Sequence, residues 1–341
     1  MVVKKILMLV GSLLVVSALG GCSNSKATSL GAGESKNELV KIGITQIAEH
    51  PALDSAREGF IAALKDKNYK DGVNIKIDFE NAQNDMPTTQ TIAEKFVNDD
   101  VNLIAAISTP SAQAAFNATQ KANKNIPIVI TAVTDPVAAG LAKSLDNSGT
   151  NVTGTSDAVP IERQFELIKK LTPKTKNIGI IYNTSEINSE LQIEAAKNAS
   201  KSFNFNIVTS GITSSNEIPQ ALDSILNKID ILYIPTDNMV ASAVSTITKI
   251  CYSRNIPVMG AEAAHVKNGA VATAGIDYYK LGYETGLKAV ELIEGKKPEE
   301  VSITTSKETS LVINEDAVRK LNMTVPEEIF TKAEKVKGGV E

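Results

Sequence analysis

Residues 101–120 read VNLIAAISTPSAQAAFNATQ, and the fold follows from this stretch. Its apolar run Leu103-Ile104-Ala105-Ala106-Ile107 has strand length and is apolar on both faces, as in a covered parallel sheet. Ser108 and Thr109 then supply cap-type hydroxyls, Pro110 suits a first helical turn, and 111–120 is Ala-rich without a breaker. A strand that hands over to a helix in this way sets unpaired backbone N–H groups and the positive helix end at the carboxyl edge of the sheet. Open α/β folds bind ligands at that edge, and a carboxylate would fit there. For a single such unit, helix capping alone is the plainer role of the two hydroxyls.

The chain writes the unit twice. Ile229-Asp230-Ile231-Leu232-Tyr233-Ile234-Pro235-Thr236-Asp237-Asn238 is again an apolar strand ending in cap-type residues, followed by a helical segment predicted over 239–254. Each copy reaches Asn-Ile-Pro, at Asn125 and at Asn255, and continues into another apolar strand. The copies start at 101 and 229 and their triplets at 125 and 255, a drift of two residues that a loop accounts for.

Working outward, 40–45, 73–79 and 128–130 read as further strands of the first half, with helices over 53–67 and 86–98. In the second half, strands fall at 178–182, 205–209 and 258–259, and helices at 161–171, 190–203 and 218–228. A helix over 281–294 and a strand at 311–313 follow. The alternation predicts an α/β chain of two doubly wound parallel-sheet lobes with right-handed crossovers, joined by hinge crossings near Thr155, Gly275 and Lys307. Lobe 1 is expected at 39–155 and 275–306, lobe 2 at 156–274 and 307–325, and a C-terminal tail at 326–341. More than one crossing makes a hinge, and a hinge between lobes makes a closable cleft.

The 341 residues suit two domains with ordinary cores; 22% charged and 43% hydrophobic residues are globular values, and a net charge of −4 gives nucleic acid no purchase. Residues 1–21 read as an export signal: Lys4 and Lys5, an apolar core from Ile6 to Leu19 that is short for a spanning helix, then Leu19-Gly20-Gly21-Cys22. That ending resembles the lipobox of bacterial lipoproteins, which implies a lipid on Cys22 and an anchored, extracytoplasmic protein. Residues 22–38 form a polar tether, and Gly31-Ala32-Gly33 within it follows no strand. Cys251 is left as a packed small hydrophobe. His50 and His265, each predicted in a loop at the surface or hinge, carry no metal-ligand spacing, so neither a metal nor a cofactor is expected. No nucleophile elbow or phosphate loop follows a predicted strand, so an enzyme is not expected.

Several blocks together resemble the bacterial ABC-transporter substrate-binding lipoproteins of the aromatic amino-acid (tryptophan/tyrosine) type, which have a type I periplasmic-binding fold. They are Ile42-Gly43-Ile44-Thr45-Gln46 with Glu49-His50-Pro51-Ala52-Leu53-Asp54, Thr131-Ala132-Val133-Thr134-Asp135-Pro136, and Asn151-Val152-Thr153-Gly154-Thr155-Ser156-Asp157. Tyr182-Asn183-Thr184-Ser185-Glu186, Pro235-Thr236-Asp237-Asn238 and Gly275-Ile276-Asp277-Tyr278-Tyr279 complete the set. The resemblance, covering about 41–321, implies a monomeric binding component that serves ABC permease subunits with an ATPase.

Nearly all these blocks lie where a strand has ended. Gln46, Asn81, Thr109, Ser111, Ala112 and Thr131 are candidate ligand contacts from the first lobe, and Tyr182, Asn183, Glu186, Asp237, Asn238 and Glu262 from the second. Asp157 and Asp277 sit on the crossings. Acids and hydroxyls converging on one cleft suit a zwitterion: the carboxylate on the N–H and hydroxyl groups of Thr109, Ser111 and Ala112, the ammonium on Asp277, Asp157 or Glu186. Asp135 reads as a cap only. Tyrosines 182, 233, 278 and 279 are candidates for an aromatic pocket wall, and the absence of tryptophan disfavours sugar stacking. An aromatic amino acid is the expected ligand; branched-chain amino acids, a nucleoside, or a role feeding a sensor kinase are the alternatives.

Overall fold

The computed structural model describes residues 39–158, 160–306 and 309–340. The first half runs β1 (Val40–Gln46), α1 (Pro51–Asp66), β2 (Ile75–Asn81), α2 (Met86–Asn98), β3 (Leu103–Ile107), α3 (Thr109–Lys121), β4 (Ile128–Val133) and β5 (Val152–Ser156). The second runs α4 (Ile161–Leu171), β6 (Asn177–Asn183), α5 (Ile187–Phe203), β7 (Asn206–Ile212), α6 (Ile218–Ile225), β8 (Ile231–Ile234), α7 (Asn238–Ala241), α8 (Val244–Ser253), β9 (Val258–Gly260) and α9 (Ala263–Lys267). The chain then returns through β10 (Ala272–Gly275), α10 (Tyr278–Ile293), β11 (Thr304–Thr305), β12 (Ser310–Asn314), α11 (Glu315–Lys320), α12 (Glu327–Lys332) and β13 (Glu334–Val336).

All neighbours in the six-stranded sheet β11-β5-β4-β3-β1-β2 and in the four-stranded sheet β7-β6-β8-β9 are parallel. The order β4-β3-β1-β2 recurs as β9-β8-β6-β7, so the repeat seen in the sequence is a repeat of topology. Each sheet has its own core. One gathers Ile42, Ile44, Phe60, Phe96 and Ile104 and draws in Tyr278, Leu281 and Ile303 from the returning chain. The other gathers Phe165, Ile180, Leu222 and Ile231 with Val312 and Ile313.

Three local features position the carboxyl edge. Helices α1 and α10 touch backbone to backbone: a Cβ on Gly282 would sit 1.8 Å from the Ala56 carbonyl oxygen, and one on Gly59 2.0 Å from that of Tyr279. Only glycine permits this approach, and it brings the His50 and Tyr278 ends of the two helices into the cleft region. In β4, Ala132 takes φ 56° where the register with β5 shifts between Ile130 and Val133, and Gly154 opposite, at φ 141°, leaves room for the Ile130 carbonyl. Such a bulge re-aims the strand end that carries Thr131 and Thr134. Ser108, fully buried between β3 and α3, holds φ 92° and ψ 159°, a region that is essentially glycine's and costs a serine about 1–3 kcal/mol.

The predicted helix over 239–254 is instead two, α7 and α8, interrupted at Ser242 and Ala243. Ser242 Oγ turns back to the Asn238 carbonyl (2.8 Å), and the following run of Val, Thr and Ile has weak helix propensity. Residues 326–341, expected as a tail, add α12 and β13 to the second core: β13 pairs with β12, and Ile329 and Ala333 are buried. Sequence reading missed it because Pro326 and the charged run after it look like a terminus. Cys251 is free and buried on α8, as a packed hydrophobe should be. The leader, the tether with Cys22 and the crossing at Lys307 lie outside the described residues.

Candidate functional site

A cavity of ≈ 320 Å³ lies where the two sheets' carboxyl edges meet. Its walls come from the ends of β4 (Thr134, Asp135), β5 (Asp157, Ala158) and β8 (Tyr233, Thr236), from α4 and α5 (Ile161, Leu191, Gln192), and from Ile276 and Tyr278 on the return crossing. The size and the mix of apolar wall with a few fixed polar groups suit a small ligand. Tyr233 is held edge-on by Phe165, and Gln192 is pinned to Thr236, whose backbone N–H it accepts at 3.1 Å. Asp135 accepts from the N–H groups of Val137 and Ala138, a turn cap as expected, while also lining the cavity mouth.

The start of α3 is not capped by its own residues. Ser108 makes no side-chain cap bond; its Oγ only meets Ser111 Oγ at 3.4 Å. Thr109 Oγ1, in a residue 2% exposed, has no hydrogen-bond partner, nor has Thr45 Oγ1 on β1. The capping role therefore fails for both hydroxyls. Ala112 is a correction in the other direction: its N–H closes the first helical turn on the Ser108 carbonyl (3.0 Å) and is not free for a ligand. Thr131 Oγ1 accepts from Thr155 Oγ1 (3.4 Å).

In the second lobe, Asn183, Glu186, Asp237 and Asn238 do come together, mainly with one another. Asp237 caps α7 through the Val240 N–H (2.9 Å) and also accepts from the Asn183 N–H (2.5 Å) and Ser189 Oγ (2.7 Å). Every one of its partners is internal, which makes it a brace between β6, α5 and α7. Glu186 accepts from the side-chain amides of Asn183 (3.2 Å), Asn188 (3.1 Å) and Asn238 (2.5 Å). Burial, and then Asp237, push its carboxyl above the usual range. His50, the N-cap residue of α1, reaches Asn238 Oδ1 at 3.5 Å.

A second acidic group joins the crossings. The Tyr278 hydroxyl lies 2.7 Å from Asp157 Oδ2 and 3.3 Å from Glu262 Oε1. Among the described residues Asp157 Oδ1 and Glu262 Oε2 have no hydrogen bond, and His265 Nε2 stands 3.6 Å from Glu262 Oε2. Burial raises both acids, Glu262 to about 8, and lowers His265 to about 3 and His50 to about 4. Both histidines, expected at surface or hinge, are buried and neutral, and His265 sits on α9. The spacing of Glu262 and His265, three apart, is the one signal that could have paired them.

Other expected contacts stand apart. Gln46 is buried but taken up by Ala48, Asp54 and Arg57. Asn81 Oδ1 accepts from the Gln83 N–H in the turn after β2. The Tyr182 ring lies beside Gly211 on β7 and not in the cavity wall. Asp277 is exposed, caps α10 through the Lys280 N–H (3.2 Å), and with Tyr279 lines a different cavity beside α1 and α9. Gln192, Leu191 and Ile161 of the cavity wall carry no signal in the sequence beyond helical amphipathicity. Among the described residues no group of side chains could hold a metal ion, and no helix is long and apolar enough to cross a membrane.

Known proteins share this sequence and fold. A tyrosine-binding protein of Clostridioides difficile is 52% identical over 324 residues, 94% of this chain and 93% of that one. A domain from Streptococcus pneumoniae solved in complex with L-Trp is 35% identical, overlays with a TM-score of 0.84, and spans 88% of this chain and all of that one. The ligand-free, open structure of a Clostridium difficile substrate-binding protein is 52% identical, spans 88% of this chain and 99% of that one, and overlays at 0.66. The family described as ABC transporter substrate binding protein matches residues 41–337, and the chain belongs to it.

Proposed function

We propose that this chain captures an aromatic L-amino acid, tyrosine first, in the cavity between its two lobes and delivers it to a membrane permease driven by an ATPase. The observation that carries the reading is Asp157 Oδ1, buried, without a partner and in the cavity wall beside Tyr233, Tyr278 and Leu191. A ligand ammonium there makes a charge-assisted hydrogen bond, and the aromatic side chain lies against the apolar wall. The uncapped start of α3, with Thr109 and Ser111, is not among this cavity's walls and is proposed as the seat that the carboxylate reaches beyond them. The names of the two relatives that bind tyrosine and L-Trp support the ligand class.

In this proposal the lobes, 39–155 with 275–306 and 156–274 with 309–340, close on the ligand about the crossings. The overlay is better with the L-Trp complex than with the open relative, although the open one is closer in sequence. That ordering supports a difference in lobe disposition and not in local fold. The protein acts outside the cytoplasmic membrane as a monomer, anchored by lipid on Cys22, and without catalysis.

Calorimetry of the mature chain against amino acids, nucleosides and sugars tests the ligand. Tyrosine, tryptophan or phenylalanine is expected to bind at micromolar or tighter affinity, about 8 kcal/mol. Asp157→Asn is expected to weaken binding at least about tenfold. Binding of nucleosides or sugars with none of any amino acid would overturn the reading. Cys22→Ala is expected to release the protein from membranes.

A further inference from the structure

The Tyr278 hydroxyl carries one proton and faces two carboxylates, Asp157 Oδ2 at 2.7 Å and Glu262 Oε1 at 3.3 Å. It can serve only one of them, and the shorter distance assigns it to Asp157. Glu262, 2% exposed, is then left without a donor, while its other oxygen faces His265 Nε2 at 3.6 Å and that ring has no donor or acceptor partner. An ionised, unserved carboxylate at such a place is costly, and a protonated one has an acceptor at hand.

We propose that Glu262 is a proton-carrying positioning residue: as the lobes come together over the ligand it takes one proton from solvent and, as a neutral acid, turns its O–H toward His265 Nε2. Tyr278 keeps its proton on Asp157, which remains the negative charge that meets the ligand's ammonium. The arrangement rests on the capture reading above. The step is a protonation alone, with solvent as the source and no bond other than O–H formed.

Of the titratable groups that face Glu262, only the Tyr278 hydroxyl, a weak donor at 3.3 Å, favours its ionised form. Asp157 at the end of β5 repels a second negative charge. Tyr278 on α10 and Tyr233 on β8 are buried phenols whose ionisation is pushed upward. His265 on α9 is held neutral by burial and by His50 at the start of α1. Burial first, and Asp157 second, move Glu262 from its ordinary 4.5 up to about 8. The proposal gives Glu262 its ordinary value while the lobes are open and the raised one when they close, so ligand capture near pH 7 takes up a proton and weakens as pH climbs through about 8. Both histidines are shifted the other way and exchange protons below about pH 6.5, which sets the lower limit of the useful range.

The test is calorimetric titration of the mature chain with L-tyrosine in phosphate and in Tris, whose ionisation enthalpies differ. At pH 7 the wild type is expected to take up about one proton per ligand, and its affinity to fall about fivefold from pH 7 to pH 8. Glu262→Gln, which keeps the shape and a donor for His265, is expected to bind with about one proton less and with flat affinity over that range. Glu186 is present in both chains, so the difference isolates Glu262. Tyrosine binding by the wild type with no proton exchange overturns this proposal and leaves the proposed function standing, as does an unchanged proton count in Glu262→Gln. Should that variant not fold, Glu186→Gln supplies the comparison: a proton count near one that persists without Glu186 supports Glu262 as the carrier, and a count that vanishes overturns it. Absence of any tyrosine binding breaks the proposed function and, with it, the proton step.

Discussion

The two copies of the strand-to-helix unit end differently. After β8 the chain places Asp237, whose carboxylate caps α7 and ties in Asn183 and Ser189. After β3 it places Ser108, which caps nothing, holds a glycine-type backbone angle, and leaves the Thr109 hydroxyl buried without a partner. One copy spends its polar groups on its own stability, while the other carries strain and an unmet hydroxyl. Strained backbone and unsatisfied buried groups cluster at ligand sites because a ligand, not the fold, satisfies them. A repeated unit therefore need not repeat its role.

The sharpest way to break this contrast is Asp237→Ala. It removes a helix cap and abandons two further buried donors, and is expected to cost about 4 kcal/mol in urea unfolding. A loss under about 1 kcal/mol would remove the brace from the second copy. Next comes acid. His50, which touches the first residue of α7, has its imidazole lowered from 6.5 to about 4 by burial. A group depressed in this way contributes stability that is present above 6.5 and lost as pH falls through 4, about 3 kcal/mol for the full shift. Unfolding at pH 7 and pH 4 should therefore show a larger loss in the wild type than in His50→Gln, which keeps only the share that His265 contributes.

Two smaller effects sharpen the first copy. Thr109→Val removes the unpartnered hydroxyl while keeping its shape. Affinity for L-tyrosine is expected to fall about tenfold with stability unchanged or slightly higher, whereas a capping threonine would lose stability and spare binding. Ser108→Gly relieves the backbone and is expected to raise stability by about 1 kcal/mol by thermal melting. No gain would mean that the angle carries no strain.

How much of this was legible follows the same division. The apolar runs of β3 and β8 and the two Asn-Ile-Pro triplets write the repeated topology openly, because a strand covered on both faces leaves a continuous hydrophobic signature. Polar residues at strand ends were legible as a class and not as roles: Asp157, Asp237 and Asp277 share one local chemistry, and only three-dimensional packing makes one a cavity wall, one a brace and one an exposed cap. Burial of His50 and His265 was hidden because it depends on both lobes at once. The helix break at Ser242 rests on a side chain competing with the backbone, a contest too close for propensity to decide.

The glycine contacts between α1 and α10 have a consequence for timing. Two helices pressed together at Gly59, Gly282 and Gly286 have no side-chain layer to shear, so they turn as one solid lever. That lever carries His50, facing Asn238, and Tyr278, facing Glu262. In the proposed closure both contacts are made in the same stroke, and stopped-flow mixing with ligand would record one conformational relaxation rather than two.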